Sequence, residues 1–419
     1  MARTGRRMTA VVRDTGERAT LPPFTDEHEQ LRETIDRWVR TEVAPHVDEW
    51  EAAREFPREL YTRAAELGFL GLKYPVEFGG QGGDYVHDAV WAEQLAAAGA
   101  SGGVGAGLGA HTGIATPPVY RFGSPDQHER FLRPAIAGRK IAALGITEPG
   151  AGSDVASIRT EARKVPGGYV VNGAKTFITN GVRADFLACA VKTTPGGGHQ
   201  GISFLILERE MPGYKVSRKL EKMGWHSSDT GELSFTEVEV PDENLLGEEN
   251  RGFYLIMENF AWERLLMALG AVGGMRRLLD VAIAYAGERE AFGRPIGGFQ
   301  AIRHKIAEVG VKAEVGRALT YHALRRFVAG EEQAASTAAG VGSAPSAFRL
   351  PTIADVTKAK LYTQRACVEV ADEVLQILGG YGYMREYGVE RALRDARLGP
   401  IGGGTDEVMK EILGRQLGL

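Results

Sequence analysis

The run GGYVVNGAKTFITNG, Gly167 to Gly181, marks a change of structural class along the chain. Val170, Val171, Phe177, Ile178 and Thr179 are β-branched or aromatic, and such side chains suit a pleated, half-buried surface. Asn172-Gly173 lies between the two runs, so the pattern predicts a hairpin turning there. ADFLACAVKT, GISFLILER and GELSFTEVEVP read as further strands, which makes residues 140–245 a β domain.

The flanks read differently. In DEHEQLRETIDRWVRTEVAPHVDEWE, Leu31, Ile35, Trp38 and Val39 recur at helical spacing, and Pro45 is expected to break that helix. PRELYTRAAELGFLGL and VHDAVWAEQLAAAGA add two helices, with the Gly-rich turn EFGGQGGD between them. Long helical periods return after residue 245. The expected organisation is a flexible tail over 1–24, a helical domain over 25–139, the β domain over 140–245 and a helical bundle over 246–419. An Ala/Ser/Gly-rich segment, 329–351, is expected to be a flexible insertion in that bundle. The order helical, β, helical shows no βαβ alternation and disfavours a doubly wound sheet.

Composition narrows the function. Of 419 residues, 43% are hydrophobic and 25% charged, as in an ordinary globular chain. The net charge of −4 argues against a nucleic-acid binder relying on bulk positive charge. Cys189 and Cys367 are far apart and form no CxxC, so neither a disulfide framework nor a zinc cage is expected, and a reducing, cytoplasmic setting fits. No apolar run approaches the ~20 residues that span a bilayer. The histidines are scattered without HExxH, so no metal site is expected.

Four motifs carry candidate chemistry. GAGLGA, Gly105 to Ala110, fits a loose dinucleotide pattern, but a helical segment precedes it where a strand is required. Its small residues thin a wall instead. In GITEPGAGSDVASIRT, glycines let backbone N–H groups approach a polar ligand, and Thr147 and Ser153 add hydroxyls; a plain turn can look the same. In FITNG, Phe177 offers a flat apolar face and Thr179 a hydroxyl on the same side of the strand. In ENFAWERLLMALGAVGG, Glu263 shares a helical stripe with Ile256, Phe260, Met267 and Ala271. A carboxylate among such neighbours is unfavourable unless paired or used; the simple alternative is pairing with Arg264 or another basic group at the helix start, and since the segment is apolar on more than one face the stripe alone does not fix where Glu263 points.

Together ITEPGAGSDVASIRTEARKVPGGYVVNGAKTFITNG, REAFGRPIGGFQAIRHKIAE and QILGGYGYMREYGVERALRDARLGPIGGGTDEVMKEILGR resemble the acyl-CoA dehydrogenase family, from about residue 25 to the end. The resemblance implies a mainly α fold with a β middle domain, FAD as cofactor, an acyl-CoA thioester as substrate and a homotetramer passing electrons to an electron-transfer flavoprotein. It implies that a carboxylate takes the α-proton while the β-hydrogen leaves as hydride to flavin N5. By the same resemblance Thr147, Phe177 and Thr179 lie against the flavin ring, and Ser153 contacts the cofactor phosphates and CoA. Arg289, Phe292 and Gln300, with Gln376 to Gly380, reach the FAD of a neighbouring subunit, and Thr405 and Glu407 contact FAD near the last helix.

One departure from the family is informative. Many members carry the catalytic Glu where this chain has Gly403. The isovaleryl-CoA and long-chain branches place it on an earlier helix in an ERL context, which here is Glu263 in WERLLMA. Glu263 is therefore expected to be the base, with Arg264, Gly403 and Gly404 on the substrate side and the Gly403 N–H facing the thioester oxygen. Alternatives are a relative acting on a carrier-protein-tethered acyl group, an acyl-CoA oxidase, and a non-catalytic flavoprotein that binds DNA.

Overall fold

The computed structural model describes residues 23–337 and 350–419. The N-terminal region is helical: α1 (Asp26–Trp38), α2 (Val47–Ala53), α3 (Glu59–Glu66), α4 (Tyr85–Ala98), α5 (Gly102–Gly109), α6 (Thr116–Phe122), and the short α7 (Pro125–Gln127) and α8 (Arg133–Ile136). Pro45 does not stop the helical path. A π turn over Val39–Val43 and a 3-10 turn over Ala44–His46 carry the chain into α2, with Pro45 near the start of that turn, where no N–H is missed. Phe24, assigned above to the flexible tail, is buried and packs edge-on against Tyr321 at 4.9 Å. The rest of that tail, residues 1–22, lies outside the described residues.

The middle region forms one sheet from β1 (Ala142–Gly145), β2 (Glu161–Val165), β3 (Gly168–Thr179), β4 (Phe186–Lys192), β5 (Ile202–Glu208), β6 (Tyr214–Lys219), β7 (Thr230–Pro241) and β8 (Leu245–Leu246). Its order is β6-β7-β3-β2-β4-β5-β8, with β1 pairing parallel to β4. Strand β4 is apolar from Phe186 to Val191, and both its faces are covered. Phe186, Ala188 and Ala190 face a core shared with Val119, Phe131 and Ile256, while Leu187, Cys189 and Val191 face Val171, Leu205 and Leu233.

The hairpin expected at Asn172-Gly173 is not there. Strand β3 runs straight through, paired with β7 from Gly168↔Pro241 to Thr179↔Thr230, and the β2–β3 turn falls at Pro166-Gly167 instead. Asn172-Gly173 forms a bulge, and Asn172 exchanges hydrogen bonds with Glu237 (2.6 and 2.9 Å). Gly173 has φ +152°, and a Cβ there would stand 2.7 Å from Thr160 Cα, so close approach rather than a turn demands glycine.

The C-terminal region holds α9 (Gly252–Glu288), a small ribbon of β9 (Glu290–Ala291) and β10 (Arg294–Pro295), then α10 (Gln300–Thr337), α11 (Leu350–Leu378), α12 (Gly380–Tyr383), α13 (Val389–Ala396) and α14 (Asp406–Gln416). The insertion expected over 329–351 is helical up to Thr337 and again from Leu350; residues 338–349 lie outside the described residues. Ala is the best helix former, so an Ala-rich flank extends α10 rather than loosening it. The regions meet at Asp395, whose carboxylate accepts from Gly102 N (3.0 Å) on α5 and Trp225 N (2.6 Å) in the β region.

Candidate active site

Helix α9 sets the first half of the site. Ile256 and Ala271 are buried and Phe260, Glu263 and Met267 half-buried, so the stripe read from the sequence does face inward. Glu263 Oε2 has no hydrogen-bond partner among the described residues. Arg264, the simple pairing alternative, turns elsewhere and donates through Nε to the Gly403 carbonyl at 3.1 Å. Burial pushes the Glu263 carboxyl up to about 7, against the pull of Arg264 and Lys360.

The loop between α13 and α14 supplies the facing wall. Gly403 (φ +63°) and Gly404 (φ +96°) are left-handed, a conformation glycine adopts freely. A Cβ on Gly403 would stand 3.8 Å from Glu263 Oε1 and 2.6 Å from Met267 Sδ. The missing side chain of residue 403 and the unpaired carboxylate of residue 263 thus border the same space. Two cations hold the loop's carbonyls: Arg264 on Gly403, and Lys360 Nζ on Gly404 at 2.6 Å. Thr405 caps α14, its Oγ1 accepting from Val408 N at 3.3 Å, and Glu407's own backbone N–H together with the Thr405 hydroxyl hold the Glu407 carboxyl below its ordinary value.

A second cluster lies on the β sheet. The register with β7 shifts between Lys175 and Ile178, and in this bulge Phe177 takes φ +59° and stays 68% exposed. Left-handed backbone costs a non-glycine residue about 1–2 kcal/mol. A large apolar ring held there without cover is explained if it packs against a ligand. Thr179, two residues on, is half-buried. The Thr147 carbonyl accepts from Thr176 N at 2.9 Å, which sets Thr147 beside the bulge, and Ser153 is exposed in the glycine bend. Beneath them lies an ion pair the sequence reading missed. Fully buried Lys175 reaches Glu148 at 2.7 Å, and Glu148 also accepts from Arg159 N (2.6 Å) and Thr160 N (3.0 Å). A lysine within a strand was its only sequence signal.

A third cluster opens outward. Arg289, Phe292 and Gly380 line a groove of about 750 Å³ with Tyr285, Phe299 and Tyr381. Phe292 is 95% exposed at φ +52°. Gln300, at the start of α10, and Gln376, near the end of α11, are exposed but do not line this groove. On α5, Cβ atoms at Gly105 and Gly109 would meet nothing within 4 Å, whereas one at Gly107 would strike Phe56 at 2.6 Å. Only part of that small-residue wall is therefore open, and GAGLGA is helix rather than a dinucleotide turn. Among the described residues one group, His28, Asp84 and His87, has metal-ligand proximity. The Nδ1 atoms of both histidines serve the capping boxes of α1 and α4.

The helical–β–helical frame thus carries a strained, exposed aromatic on a strand bulge and an unpaired carboxylate beside a glycine loop. Profiles of the acyl-CoA dehydrogenase N-terminal, middle and C-terminal domains match residues 25–139, 143–238 and 250–418. The chain is 37% identical to the mitochondrial isovaleryl-CoA dehydrogenase of Oryza sativa, covering 94% of this chain and 92% of that one. It is 36% identical to the mitochondrial long-chain specific acyl-CoA dehydrogenase of Mus musculus, covering 94% and 87%. The crystal structure of an acyl-CoA dehydrogenase from Geobacillus kaustophilus superposes with a TM-score of 0.87 at 36% identity, covering 95% and 100%. The chain belongs to the acyl-CoA dehydrogenase family, whose enzymes are FAD-dependent oxidoreductases.

Proposed function

We propose that this enzyme converts an acyl-CoA thioester to the trans-2-enoyl-CoA, with Glu263 removing the α-proton as the β-hydrogen leaves as hydride. The observation that carries this reading is the unpartnered Glu263 carboxylate beside the space that Gly403 leaves open. A general base works best with a pKa near the operating pH, and burial brings Glu263 to about 7. The Gly403 N–H has no protein acceptor among the described residues, so it can donate to the thioester oxygen and stabilise charge developing there. Arg264 and Lys360, by holding the neighbouring carbonyls, keep the loop in place.

FAD, when bound, supplies the hydride acceptor. On this reading Phe177 packs beside its ring, Thr147 and Thr179 bond its polar edge, and Ser153, Thr405 and Glu407 hold its chain. Arg289, Phe292, Gln300, Gln376 and Gly380 meet the FAD of a second copy, in a homotetramer with domain boundaries near residues 139 and 245. An electron-transfer flavoprotein is the acceptor, and two unpaired cysteines suit the cytoplasm. The test is anaerobic bleaching of the flavin with a panel of acyl-CoAs, followed by reoxidation with electron-transfer flavoprotein or oxygen. A flavin that no acyl-CoA bleaches would overturn the proposal.

A further inference from the structure

We infer that Lys360 on α11 is a positioning residue for this reaction: its buried ammonium anchors the Gly404 carbonyl and places positive charge behind the loop, favouring the carboxylate form of Glu263. The inference rests on Glu263 being the base. The Lys360 side chain is fully buried, and its Nζ donates to Gly404 O at 2.6 Å. No carboxylate pairs with it within 4.0 Å among the described residues. An ammonium buried without an ion-pair partner is strongly disfavoured, so a purely structural position would be better filled by an apolar side chain. Burial accordingly lowers its pKa to about 8.

The surroundings show what the charge serves. Helix α11 presents Lys360 and Gln364 one turn apart, and Gln364 Nε2 donates to the Met267 carbonyl at 2.7 Å. The same face of α11 thus grips both sides of the site, α9 at Met267 and the loop at Gly404. The charged groups around Lys360 are Glu263 and Arg264 from α9 and Asp406 and Glu407 from α14. Arg365, on its own helix, already faces Asp406 at 3.7 Å. Arg264 is bonded to Gly403, so Lys360 is the second cation that favours the ionised form of Glu263. Proton transfer leaves Glu263 neutral and moves the C–H electron pair onto the α-carbon and thioester oxygen. The carboxylate must therefore be ionised before each turnover.

The test is the pH profile of flavin reduction by acyl-CoA in the holoenzyme, by anaerobic stopped flow. Lys360→Gln keeps a donor for Gly404 but removes the charge. Its rising limb should move to higher pH by about one unit, so that at pH 6.5 the rate falls about tenfold relative to the parent. Lys360→Met should show the same shift and a deeper loss of plateau rate, because the loop anchor goes as well. Lys360→Arg should return the limb toward the parent position. If Lys360→Gln does not retain FAD, Lys360→Leu gives the same readout, since its side chain is uncharged at every pH. Parent-like limbs in the uncharged variants, or an equal shift in Lys360→Arg, would overturn the inference. A Glu263→Gln enzyme that still reduces its flavin would instead overturn the assignment of the base.

Discussion

Replacing Glu263 by Gln keeps the shape of the side chain and removes its basicity. Two effects follow from the same burial. The first is on rate: loss of a general base costs about 10²–10⁴-fold, and residue 403, being glycine, has no side chain to substitute. The second is on stability. The carboxyl is displaced from 4.5 to about 7, which corresponds to about 3 kcal/mol between its two protonation states. Because the folded pKa is raised, the protonated form favours the fold. That contribution is complete below pH 4.5 and is lost as pH rises through about 7. Glu263→Gln should therefore make the FAD-free protein more stable at pH 8, by up to about 3 kcal/mol, and leave it unchanged at pH 4. Urea unfolding at the two pH values measures this, and anaerobic stopped flow with substrate measures the rate. A variant slow in flavin reduction yet no more stable at pH 8 would mean that the carboxylate is solvated. Near-parent flavin reduction would refute the assignment of Glu263 altogether.

Other outcomes can be stated more briefly. Gly403→Glu on the Glu263→Gln background should restore only part of the rate. Residue 403 is left-handed and its Cβ would press on Met267 Sδ at 2.6 Å, so adding Met267→Ala should raise the recovery; no flavin reduction in either variant would show that residue 403 does not face the α-carbon. Arg289→Ala should weaken FAD retention by about 1.5–3 kcal/mol, the range for a charge-assisted hydrogen bond, with ultrafiltration and flavin absorbance as the measure. Lys175→Met strands the buried Glu148 carboxylate and should destabilise the β region by about 3–5 kcal/mol in denaturant unfolding. In the parent the Glu148 pKa is lowered despite its burial, chiefly by Lys175. Its stabilisation is therefore present above pH 4.5 and lost as pH falls further, and Lys175→Met should remove that acid dependence from the melting temperature.

Where one face of an element is buried by its own periodic pattern, the sequence alone was sufficient. The stripe from Ile256 to Ala271 on α9 and the continuous apolar run of β4 both express a local rule, helical in one case and extended in the other. The stripe alone left Glu263 open to simple pairing, and it was the resemblance in WERLLMA that singled it out as the candidate base. Asn172-Gly173 was misread because its hairpin preference is a local term. The pairing of β3 with β7 on both sides of it, from Gly168 to Thr179, outweighs that preference and turns it into a bulge. Tertiary structure alone decided that Glu263 goes unpaired, that Arg264 is spent on Gly403 and that Lys360 lies behind Gly404. Those contacts join residues 139 and 44 positions apart. Periodicity can say which side of a helix turns inward; what a buried charge meets there depends on distant segments that pack against it.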